Sequence, residues 1–78
     1  MLNELRQIHR GISEVARRIA KQQQIVAKLV RLDRDTSQAR VLLATLSSTR
    51  VEYEHRREML IAQIVNVDLR TLRNWLQR

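Results

Sequence analysis

The sequence predicts an all-α protein: an antiparallel, coiled-coil-like helical hairpin with a short C-terminal helix, dimerising into a four-helix bundle. Three observations lead there. One Gly, no Pro and only two aromatic residues, Tyr53 and Trp75, leave little room for sheets or tight turns. Leu5, Ile8, Ile12, Val15, Ile19, Gln22, Val26 and Leu29 follow one another at alternating spacings of three and four residues, which puts them on one seam of a long helix. Beyond a short polar stretch, Ala39, Leu42, Leu46, Thr49, Tyr53, Arg56, Leu60 and Val67 repeat that rhythm, with Gln63 or Ile64 filling the gap.

The first helix is expected over residues 2–32, about 45 Å at 1.5 Å per residue. Gly11 is its weak point, because Gly in a helix interior costs about 1 kcal/mol relative to Ala. Its place beside the seam suggests close approach of another backbone. The turn is expected at residues 33–35, where Asp33 best tolerates a left-handed conformation. Asp35 followed by Gln38 has the form of a capping box that starts the second helix, expected over residues 36–65. Folding back then sets Val26 against Leu42, Gln22 against Leu46, Ile19 against Thr49, Val15 against Tyr53, Ile12 against Arg56 and Ile8 against Leu60. The two rhythms match in length, as an antiparallel pair requires.

Near Asn66-Val67-Asp68 the pattern changes phase. Ile61, Val65, Leu69, Leu72 and Leu76 form a stripe on another side of the helix. Asp68 reads as the cap of a separate tail helix over residues 69–77. All 78 residues form one domain, and so small a domain, without Cys for a disulfide or a thiolate zinc site, buries little core. Apolar residues flanking the seam, Ile25 and Val30 on the first helix and Leu43 on the second, favour a second copy as cover. The core and dimer seam is therefore assigned to Ile12, Val15, Ile19, Ile25, Val30, Leu42, Leu43, Leu46, Tyr53 and Leu60. Arg18 and Glu52 are placed to pair across the hairpin.

Fifteen Lys and Arg against eight Asp and Glu give a net charge of +7, which attracts polyanions over long range. Arg10, Arg17 and Arg31 recur at seven-residue spacing with Lys21 and Lys28 alongside. Together they make a basic stripe about 30 Å long, a candidate surface for RNA or DNA phosphates. No aromatics interleave it and no helix-turn-helix partner accompanies it, so base readout is not expected. Membrane contact through Trp75 is disfavoured, because a helix partner explains the long seam better. No apolar run resembles a secretory signal or a membrane span, and a cytoplasmic location is expected.

No catalytic constellation is present. His9 and His55 are isolated, Ser47-Ser48 lacks a neighbouring base, and no glycine-rich phosphate loop occurs. The expectation is a non-enzymatic interaction or regulatory module, with no cofactor and no metal, acting as a homodimer on a protein partner. Ile61, Val65, Leu69, Leu72, Trp75 and Leu76 are the candidate contacts.

Arg17-Arg18-Ile19-Ala20-Lys21-Gln22, then Asp35-Thr36, Ala39, Leu42-Leu43-Ala44, Leu46 and His55-Arg56 resemble the pattern of small uncharacterised helical-hairpin proteins of alpha-proteobacteria, rhizobial relatives in particular. The resemblance covers residues 9–65. It implies a helical hairpin and a bacterial origin, and no activity, since none is established for that group. Its members often carry Gly in the turn, where this chain has Asp33.

Overall fold

The computed structural model describes residues 2–77. Two helices, α1 (Leu2–Arg31) and α2 (Ser37–Leu76), pack against each other. No strand occurs among the described residues. The rod they form measures 71 × 16 × 14 Å.

The chain turns where its residues favour a turn. Asp33 is left-handed, with φ 54°. Its amide donates to the Val30 carbonyl at 3.0 Å and the Arg34 amide to the Leu29 carbonyl at 2.9 Å. These are the two bonds of a Schellman motif, which satisfies carbonyls that a helix end leaves bare. Asp35 then starts α2: its Oδ1 accepts from the Ser37 amide at 3.0 Å and from the Ser37 hydroxyl at 2.7 Å. Thr36 is the N-cap residue and makes no side-chain cap bond, so the capping box expected of Asp35 and Gln38 does not form; Asp35, one residue earlier, holds Ser37 instead. Both bonds favour the ionised form and hold the Asp35 carboxyl below its ordinary range.

The α1 seam faces α2 as its spacing requires. Val15, Ile19 and Gln22 are buried, and Leu5, Ile8, Ile12, Val26 and Leu29 are half-buried. Gln22 avoids a buried unpaired amide by donating from Nε2 to the Ala39 carbonyl at 3.0 Å, an acceptor with a lone pair left over from the helix ladder. That bond ties one point on α1 to one point on α2.

On α2 most of the expected inward face is in place: Ala39, Leu46, Thr49, Tyr53 and Ile64 are half-buried and Leu60 is buried. It departs from expectation at Leu42, Arg56 and Val67, which are exposed, with Leu43 and Arg57 half-buried in place of Leu42 and Arg56. A Cβ on Gly11 would lie 2.7 Å from Cε1 and Cζ of Tyr53, so the ring occupies the space that the missing side chain leaves. What approaches Gly11 is thus an aromatic ring rather than a backbone. Tyr53 reaches one helical turn further along α1 than Val15, its expected partner.

The expected break at Asn66–Asp68 is absent, since α2 is one helix of 40 residues. Residues 61–76 contain neither Gly nor Pro, so continuing the hydrogen-bond ladder costs less than stopping it. By length α2 exceeds α1 by about 15 Å. The last α2 residue withdrawn from solvent is Ile64. Residues 65–76 therefore project past the start of α1 as a bare helix.

Candidate functional site

Two surfaces remain unoccupied by the fold, one apolar and one basic. The apolar surface lies on the projecting end of α2. Ile61, Val65, Leu69, Leu72, Trp75 and Leu76 are all exposed, by 43% to 69%. At 100° per residue, Val65, Leu69, Leu72 and Leu76 form a line roughly 120° round the helix from Arg57, Leu60 and Ile64, the line that meets α1. The side that continues the α1-facing line carries Val67, Asp68, Thr71 and Trp75, of mixed character. Because α2 does not fold back, the stripe is not used to close the core of its own chain.

The residues assigned to the core and dimer seam separate into three groups. Val15, Ile19 and Leu60 are buried; Ile12, Leu43, Leu46 and Tyr53 are half-buried; Ile25, Val30 and Leu42 are exposed. Leu42 and Leu46 share a shallow groove with Arg18, Lys21 and Gln22, so apolar atoms remain accessible along one flank of the hairpin. No side chain is fully shielded from water, as expected where two helices cover only one face of each other.

The basic surface runs along the outer side of α1. Arg10, Arg17, Lys21, Lys28 and Arg31 are exposed, and none of them joins an ion pair among the described residues. Arg18 pairs with Glu14 at 2.8 Å, one turn away on its own helix, rather than with Glu52. An i, i+4 partner needs no reach across the hairpin. Arg6 and His9, which the seven-residue spacing passed over, join Arg10, Ser13, Glu14 and Arg17 along an open groove on α1. Arg6 stands four residues before Arg10 and His9 four before Ser13, and that spacing is the signal that places them there.

Among the described residues no three His, Cys, Asp or Glu side chains come together as a group able to hold a metal ion. The grooves are shallow and open rather than enclosed, and among the described residues no buried side-chain polar atom lacks a partner. Among the described residues no helix is long and apolar enough to cross a membrane. The chain matches no protein-family model, no curated protein and no solved structure.

Proposed function

We propose that this chain is a non-enzymatic interaction module that acts through self-association and through contact with a protein partner. The observation that supports this reading is the imbalance of apolar surface. Val15, Ile19 and Leu60 are the only buried apolar residues among those described, while fifteen large apolar residues are exposed. A hairpin so lightly closed gains from any second helical surface that removes this area from water. Side-by-side association through Ile25, Val30, Leu42 and Leu43 makes a four-helix bundle, with the apolar end of α2 left for a partner. Sedimentation of the full chain tests the first half of the reading. A dimer or larger species at micromolar concentration is expected, and a monomer with a cooperative melt overturns self-association. Capture from native lysate, repeated after nuclease treatment, tests the second half: protein retained in both preparations supports a protein partner.

A second reading, nucleic-acid binding, is favoured by the five exposed and unpaired basic side chains on the outer side of α1. Contacts of that kind release counterions, so five phosphate contacts give a log-log salt slope of about −4.5. A gel shift with structured RNA or duplex DNA at low salt that shows no complex removes this reading.

A further inference from the structure

We propose that the apolar stripe at the projecting end of α2 is occupied by a second copy of the chain, paired antiparallel and end to end. This inference rests on self-association as proposed above but places it at the end of α2, in place of the side-by-side bundle, and gives it a direction. The spacing carries the argument. Val65, Leu69, Leu72 and Leu76 are separated by four, three and four residues, an order that reads the same in both directions. A two-fold axis between residues 70 and 71 then sets Leu69 of each copy against Leu72 of the other, and Val65 against Leu76. Self-complementarity of this kind is what an isologous interface requires.

Length and charge agree with that register. Pairing Val65 with Leu76 needs an overlap of residues 65–76, and those are the residues of α2 that extend past the start of α1. The two projecting ends therefore meet without either α1 intervening. Beside the apolar line, the antiparallel arrangement brings Asn66 next to Arg73 and Asp68 next to Trp75, so no like charges face each other. Parallel pairing fails this test. Toward the hairpin the same line continues through Glu58 and Glu54, and a parallel copy would stack each carboxylate on its own equivalent. An additional segment of the chain continuing α1 is not the occupant, because it would lie along Val67, Asp68, Thr71 and Trp75, about 120° round the helix from the stripe.

The contact is about 20 Å long, small beside the interfaces of permanent dimers, so the association is reversible and concentration-dependent. Its product is a rod of about 120 Å, made of two 71 Å hairpins less that overlap, with the two turns at its far ends. The experiment is small-angle scattering and sedimentation of the full chain from micromolar to millimolar concentration, with fluorescence of Trp75, the single tryptophan, followed in parallel. A maximum dimension rising from about 75 Å to about 120 Å, with a blue shift of Trp75 emission over the same range, is the expected result. Leu72→Glu sets carboxylates against Leu69 at the two-fold axis and is expected to abolish both changes. Because Leu72 is half exposed in the hairpin, the variant's helical signal at low concentration stays unchanged. A dimer no longer than about 80 Å with Trp75 emission unmoved overturns this inference and leaves self-association standing as a side-by-side bundle. Dimerisation undiminished in Leu72→Glu also overturns it, whereas a native chain that stays monomeric throughout overturns both.

Discussion

Replacing Gly11 with Ala sets two effects of known sign against each other. In a helix interior Ala is favoured over Gly by about 1 kcal/mol, so on local grounds the substitution stabilises α1. The new methyl, however, would stand 2.7 Å from two ring carbons of Tyr53, well inside van der Waals contact, and overpacking of that kind costs about 1 to 3 kcal/mol. Gly11→Ala is therefore expected to be neutral or to destabilise by up to about 2 kcal/mol, the difference of those terms. In a Tyr53→Ala background the ring is gone and the same substitution stabilises by about 1 kcal/mol. The change of sign is the diagnostic, and a double-mutant cycle reads it as a coupling of about 1 to 3 kcal/mol. Thermal melts followed by circular dichroism suffice, since about 1 kcal/mol moves the midpoint of so small a domain by roughly 4 to 8 °C. They are run at a concentration low enough that association does not contribute. If Gly11→Ala stabilises equally in both backgrounds, the ring does not lie over Gly11 and the helix register described above is wrong.

Substitutions at three further positions probe the turn and the polar point of the seam. Gln22→Ala loses the bond to the Ala39 carbonyl and costs about 0.5 to 1.5 kcal/mol by thermal melt; Gln22→Leu is neutral or stabilising, because the carbonyl keeps its ladder donor. Asp33→Gly relieves the left-handed backbone and raises the melting midpoint, whereas Asp33→Val, β-branched at the same φ, lowers stability by more than about 1 kcal/mol. The Asp35 carboxyl is held below the ordinary aspartate range by the Ser37 hydroxyl and amide. A carboxyl depressed in the folded state contributes stability above its unfolded pKa and loses it as pH falls through the folded value. Melting midpoints taken from pH 5 down to pH 2 are therefore expected to fall at the acid end, and to fall less in Asp35→Asn, whose side-chain oxygen accepts from Ser37 without titrating.

How far the sequence specifies this molecule differs from one stretch to the next. The α1 seam is legible because Leu5 and Ile8 have polar neighbours on both sides and Val15, Ile19 and Leu29 on one, so that no second apolar line of equal length competes with it. Asp33 marks the turn because a left-handed residue there has few other candidates. The inward face of α2 is underdetermined by comparison. Leu42 and Leu43 are both leucine and Arg56 and Arg57 both arginine, so at these two points the spacing does not say which neighbour turns inward. The entry of the Tyr53 ring into the gap at Gly11 is a contact between residues 42 positions apart that no local pattern announces. The change of phase at Asn66–Asp68 is legible as well, but its meaning is not. A shift in the apolar line reads equally as a break or as a straight helix presenting a new side, and the cost of interrupting a ladder free of Gly and Pro decides for the second. The apolar end of α2 and the basic stripe on α1 were both visible as spacing. Their freedom from intrachain partners emerges only with the relative lengths of the two helices and with Arg18 pairing to Glu14.

The distance between nitroxide labels at Arg34 and Asn74, introduced as cysteines into a chain that has none of its own and diluted with unlabelled protein, tests most directly whether α2 is one rod that outruns α1. An unbroken helix from Ser37 to Asn74 places the labels about 55 to 60 Å apart. A tail that turned back at Asn66–Asp68 would bring them to about 40 Å or less, and with that distance the exposed stripe and everything argued from it would be lost.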